Sequence, residues 1–223
     1  MTQDFLDELA AVKEQVAAAT QTEHSSLGEF IRYEVSARAD SPLAGIVLAA
    51  ALPDSDSAKQ RADRIQLSAA MILLDVALSL HKLLLLQQPD TEALDKSLVG
   101  GTVLAGDYCF SQAAMAAART GNPQVVAIFS ELLKELSEAH LRRLFGQGGD
   151  APDDFSLLFH SGGLAGAVLA GLDEPTQQRT ADFAASLAQF FAAKGQPPAL
   201  DLAAAHQRPR WQSLLEGGRE NDG

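Results

Sequence analysis

Apolar residues recur along this chain at helical spacing. Phe5, Leu6, Leu9, Val12 and Val16 fall three or four positions apart, which predicts an amphipathic helix from Thr2 to about Ala19. Acids in its first turn suit the helix dipole. A second helix is predicted from about Ser26 to Arg38, and after a break at residues 39–41 a third, wholly apolar one opens on Pro42 and runs from Leu43 to Leu52. Pro53-Asp-Ser-Asp-Ser reads as loop and cap, and the long segment from Ala58 to Leu86 closes at Gln-Gln-Pro-Asp, residues 87–90. Further helices are predicted over Asp95–Arg119, then from Asn122-Pro123 to about Phe145, Asp153–Leu172, Pro175–Lys194 and Leu200 to about Leu215. Residues 146–152 read as a flexible connector. No alternating β-branched run marks a strand, and nothing repeats at a fixed period. The expected fold is all-α, an antiparallel bundle forming one domain over residues 1–215, with 216–223 as a flexible tail.

Composition narrows this picture. A chain of 223 residues that is 47% apolar supports one sizeable core. Its formal charge of −12 argues against nucleic acid or an anionic membrane surface as partner. Cys109 is the single cysteine, so no disulfide framework or cysteine metal cluster is expected. The N-terminus lacks the regions of a signal peptide, which makes a cytoplasmic location the expectation. The greasiest stretch, Met71 to Leu86, is interrupted by Asp75, Ser79, His81 and Lys82 and reads as a buried core helix, with no membrane span expected.

Four blocks carry a resemblance. Leu27-Gly-Glu-Phe-Ile-Arg-Tyr33 is followed by Pro42-Leu-Ala-Gly-Ile-Val-Leu-Ala-Ala-Ala. Gly101-Thr-Val-Leu-Ala-Gly106-Asp107-Tyr108 comes next, then Leu158-Phe159 with Gly166-Ala-Val-Leu-Ala-Gly171, and last the helix around Gln189. In order and spacing, over residues 27–196, these resemble the polyprenyl synthetase family, the trans-isoprenyl diphosphate synthases. The resemblance implies an isoprenoid-synthase bundle, shortened at the C-terminus, because active members usually continue for several helices beyond the second motif.

The departures fall on charge-handling positions. Where the family has an apolar helix running into His-Asp-Asp, this chain has His81-Lys82-Leu83; where the family has Phe-Gln-x-x-Asp-Asp-x-x-Asp, it has Ala188-Gln189-Phe190-Phe191-Ala192-Ala193-Lys194. Magnesium is a hard cation held through carboxylates, which these residues do not supply. At the family's Gly-Gly-Lys-Arg-x-Arg-Pro site the chain reads Ala37-Arg38-Ala39-Asp40-Ser41-Pro42, leaving Arg38 alone to stand in for a cation. No paired arginines follow the first altered motif. The family's Lys-Thr pair is replaced by Asp154 and Phe155, which reverses a charge meant for phosphate and repels a diphosphate by an energy on the order of several kcal/mol in a poorly solvated pocket.

No catalytic residue and no metal site is therefore expected. The pocket relics are Arg38, Ala77, Leu78, His81, Lys82, Asp107 and Gln189, with Leu84 as a further wall residue; His81, Asp107 and Gln189 read first as scaffold parts. Glu131, Glu135 and Glu138 share a helix face with Lys134, Arg142 and Arg143, the pattern of a solvated, salt-bridged surface. Ser161-Gly-Gly lacks the strand and turn of a nucleophile elbow. In the family the two helices spanning residues 95–145 form the two-fold interface, and here Phe110, Met115, Val126, Phe129, Leu133 and Leu136 supply an apolar surface for it.

The resemblance implies a non-catalytic subunit paired with a catalytic polyprenyl diphosphate synthase, which alone would use magnesium; the chain itself needs no cofactor. Two alternatives stand beside it: a divergent active prenyltransferase, and a homodimeric protein that binds an apolar ligand.

Overall fold

The computed structural model describes residues 2–22, 25–38, 41–85, 96–146, 153–193, 197–200 and 203–220. Among them every regular element is an α-helix: α1 (Gln3–Ala19), α2 (Ser25–Ser36), α3 (Leu43–Ala50), α4 (Ala58–Leu85), α5 (Lys96–Arg119), α6 (Pro123–Leu144), α7 (Asp154–Leu169), α8 (Glu174–Ala193) and α9 (Arg208–Glu220). The expected bundle is present. The segments read as loops at 87–90, 147–152 and 39–40, and Lys194 and Leu84's side chain, lie outside the described residues.

The helix boundaries follow from local chemistry. Asn122 caps α6, its Oδ1 accepting from the Gln124 and Val125 amides at 2.9 and 3.4 Å, with Pro123 in the first turn. Asp153 and Asp173 cap α7 and α8 in the same way, through the Ser156 and Thr176 amides, each at 2.9 Å. The turn before α6 holds Gly121 at φ 65°, a left-handed conformation that L side chains rarely adopt.

Every residue of α3 is buried. It lies at the centre, against α4, α7, α1 and α9, while α4 runs alongside α5 and α7 pairs with α8. Small residues set these spacings. At Gly166 a Cβ would lie 2.8 Å from that of Ala50, and at Gly163 only 2.6 Å from that of Ala184, so α7 approaches α3 and α8 more closely than larger side chains permit. The helix α4 spans the segment expected of it, from Ala58 to the last described residue, Leu85. Ala58–Leu83 is long and apolar enough to cross a membrane by length and composition, but 72% of its most apolar window is buried inside the bundle, as in a core helix.

The C-terminal helix needs a correction. It begins at Arg208, well after Leu200, and continues to Glu220 through residues read as tail. Pro209 explains the start, since proline is accepted in a first turn and not in a helix interior. Buried Trp211, Leu214 and Leu215 hold the helix down, Trp211 packing edge-on against Phe183 at 5.1 Å. The Gln207 amide donates to the carbonyls of Ala50 and Leu52, at 2.7 and 3.0 Å, satisfying groups that α3 leaves open at its end.

One buried carboxylate joins three helices. Glu8 of α1 accepts from Arg64 of α4 at 2.9 and 2.6 Å and from Arg210 of α9 at 2.7 and 3.0 Å. Arg64 also donates to Asp56, and the Arg210 guanidinium lies 5.0 Å over the Phe5 ring. Burial alone would raise the Glu8 carboxyl's pKa; the two arginines outweigh it and hold the group below the usual carboxylate range.

Candidate functional site

The C-terminal end of α4 meets the start of α7 and the end of α6. Asp154, in the first turn of α7, is buried, and two cationic side chains and a histidine converge on it. Lys82 Nζ lies 2.6 Å and His140 Nε2 2.9 Å from its Oδ2, and Arg143 Nη1 donates to Oδ1 at 2.8 Å. Burial pushes the Asp154 pKa up, but the hydrogen bonds from Lys82, Arg143 and His140 outweigh it and hold the carboxyl at about 2. Lys82 and Asp154, 72 positions apart in sequence, are thus one ion pair in space.

A second string of polar groups runs beside it. Arg38, in the turn after α2, donates to Glu34 Oε2 at 2.8 Å, and its Nε lies 3.2 Å from Asp75 Oδ2. Ser79 donates to the same Glu34 oxygen at 3.1 Å. Asp75 is buried and its Oδ2 has no well-aligned hydrogen bond. Desolvation therefore raises its pKa against the pull of Arg38 and Lys82, and the negative charge of Asp154 adds to the rise. Arg38 is spent inside the protein.

His81 and Asp107, singled out separately, also meet: His81 Nε2 is 3.3 Å from Asp107 Oδ1. The ring packs onto Gly106, where any Cβ would collide with it, so that glycine admits the α4–α5 contact. Tyr108, next in the same motif, brings its hydroxyl within 3.1 and 3.0 Å of the Ala19 and Gln21 carbonyls. Both contacts are scaffold chemistry.

The remaining pocket relics are placed as follows. Ala77 is enclosed in a small cluster with Ile31, Val76, Leu80, Ala105 and Cys109. Leu78 is half-buried against the main core, and Gln189 is exposed on α8. Beside Gln189, Phe190 and Phe191 continue an aromatic row: Phe155, Phe159, Phe191 and Phe190 contact edge-on with centroid separations of 6.2, 6.4 and 5.1 Å. Hydrocarbon thus lies between α7 and α8.

The interface residues divide. Phe110, Met115 and Val126 are exposed and Leu133 is half-buried, whereas Phe129 and Leu136 point into the core and add nothing to an outer face. Two helical stripes on α6, offset by a few positions, account for the difference. Leu104 and Leu141, which the sequence reading passed over, are exposed. On the outer face of α6, Lys134 pairs with Glu131 at 2.6 Å and Arg142 with Glu138 at 3.5 Å, the solvated pattern expected.

Sequence reasoning placed Arg143 on that solvated face and did not single out His140. Their three-residue spacing on α6 was the available signal, since it puts both on one side of the helix.

Magnesium, which the fold implies, does not fit these donors. Both Asp154 oxygens are committed to cations, and among the described residues no group of three or more His, Cys, Asp or Glu is placed to hold a metal. No reaction step can be drawn through the ion here.

No protein-family model and no curated protein matches the chain. Solved structures do. The decaprenyl diphosphate synthase from Rhodobacter capsulatus superposes with TM-score 0.67 at 19% identity, over 99% of this chain and 80% of that one. The geranylgeranyl pyrophosphate synthase from Lactobacillus brevis gives 0.70 at 13%, over 97% and 78%. A mint deletion mutant of heterotetrameric geranyl pyrophosphate synthase gives 0.61 at 14%, over 98% and 93%. At these identities the likeness is one of architecture: the chain has the all-α fold of the polyprenyl and geranylgeranyl synthases.

Proposed function

We propose that this chain is a non-catalytic subunit that supports a trans-polyprenyl diphosphate synthase in isoprenoid or quinone side-chain synthesis. The observation that carries the reading is the Lys82–Asp154 ion pair. Prenyl transfer by ionisation of an allylic diphosphate requires anionic oxygens around divalent cations and cations around phosphate. Here one group of each sign has been exchanged, and the two neutralise each other. Magnesium and the reacting diphosphate belong, in this proposal, to the partner.

Two further observations support it. One structural neighbour is a chain of a heterotetrameric synthase, and the superposition covers nearly all of both chains. The exposed apolar residues Val103, Leu104, Phe110 and Met115 of α5, with Val126 and Leu141 of α6, give a partner something to bury. The aromatic row between α7 and α8 supplies apolar wall, by which a subunit without chemistry could influence product length.

Co-expression with a complete synthase from the same genome, followed by magnesium-dependent prenyl transfer assays with and without this chain, tests the proposal. The expected outcome is association and a changed rate or product length, with no activity from the chain alone. Unaided turnover at the level of a complete synthase points to the divergent-enzyme reading, and failure to associate with any synthase removes the subunit reading.

A further inference from the structure

A second site lies among α1, α2, α3 and α4, lined by residues other than those around Asp154. It is a cavity of about 140 Å³ whose walls include Leu9, Val12, Val16, Val35, Ala44 and Ile72. Packed interiors leave few voids this large, and an apolar cavity of about 150 Å³ stays dry and accepts a six-carbon ring. The cavity reaches the surface at a polar rim of Lys13, Ser36, Arg38 and Ser41. These rim groups are not equivalent. Arg38 is occupied by Glu34 and Asp75, and the Ser41 hydroxyl accepts from the Leu43 amide at 3.3 Å. Lys13 is exposed and among the described residues makes no ion pair, so its ammonium is the charge available at the mouth.

We propose that this cavity binds a small amphiphile with an apolar tail of about six carbons and an anionic head, the tail between α1 and α4 and the head on Lys13. The site is independent of the subunit reading: it needs no partner and none of the groups at the α4–α7 contact.

Hexanoate and hexanol are the probes, titrated into the isolated full chain and followed by NMR shifts of the Ile72 and Val35 methyls. Hexanoate is expected to bind more tightly than hexanol, and Lys13→Ala to weaken hexanoate about tenfold while leaving hexanol unchanged, the size of one charge-assisted contact. Ala44→Leu fills the space from α3 and is expected to abolish both titrations while melting no lower than the wild type. If that variant folds poorly, Val35→Phe closes the cavity from α2 and carries the same expectation. The absence of any methyl shift up to about 10 mM of either probe, or unchanged binding in a folded cavity-filled variant, overturns the site. Equal affinity for hexanol and hexanoate overturns the assignment of an anionic head.

Discussion

Around Glu8 the guanidinium side chains of Arg64 and Arg210 are 1% and 8% exposed, whereas around Asp154 the side chains of Lys82, Arg143 and His140 are 44%, 34% and 26% exposed. Each set is a buried carboxylate held by two cations, with His140 as a further partner of Asp154, and they differ in access to water. A cation sealed from solvent cannot change partner without its full desolvation cost, which makes the Glu8 set a fixed joint between α1, α4 and α9. Cations with one side in water exchange partners cheaply. The cluster at Asp154 is therefore the one that a partner chain or an anion can address, while its carboxylate keeps the end of α4 fastened to α7.

Breaking the Glu8 joint should have the largest effect. Glu8→Gln leaves the buried Arg210 guanidinium without its counter-charge and Arg64 with Asp56 alone, and is expected to cost about 4 kcal/mol in denaturant unfolding, the range for a severed buried pair. Asp154→Asn should cost about 3 kcal/mol, less because Lys82 and Arg143 can turn to water. Its signature is in the pH dependence. The Asp154 pKa is lowered to about 2, so its stabilisation is present above the ordinary aspartate value and is lost as pH falls through the folded one. Between about pH 4 and pH 2 the wild type should lose stability more steeply than Asp154→Asn; parallel pH profiles would show that the carboxylate's pairing is worth little. The smallest stability effect is expected on the outer face. Leu104→Lys should change unfolding by less than about 0.5 kcal/mol while weakening association with a synthase partner in size-exclusion experiments. A large loss of stability would instead make Leu104 part of the chain's own packing.

The helices were legible in the sequence because their ends are marked by local chemistry. Pro42, Gly121, Asn122-Pro123 and Asp153 act within a turn of where they stand, and the predicted boundaries from α1 to α8 fall within a few residues of those observed. The start of α9 was misread where a single proline, Pro209, was overlooked in a weak pattern. The isoprenoid-synthase architecture was legible from four ordered blocks, and the solved structures bear it out at the level of fold. The charge clusters were not legible. Lys82 and Asp154 were each visible as a reversed charge, but nothing local says that they touch, and Glu8 lies 56 and 202 positions from its two arginines. Phe129 and Leu136 were misassigned to an outer face for a related reason: periodicity shows that a residue is on a stripe, not which of two stripes meets the core.

The bond between Glu8 and Arg210 also orders events during synthesis. The carboxylate leaves the ribosome 202 residues ahead of the guanidinium that completes its shell, and the carbonyls of Ala50 and Leu52 at the end of α3 wait 157 and 155 residues for Gln207. Until then the nascent chain carries a half-neutralised acid and open acceptors beside its most apolar helix. Consolidation of the N-terminal half consequently waits until α9 has emerged and docked.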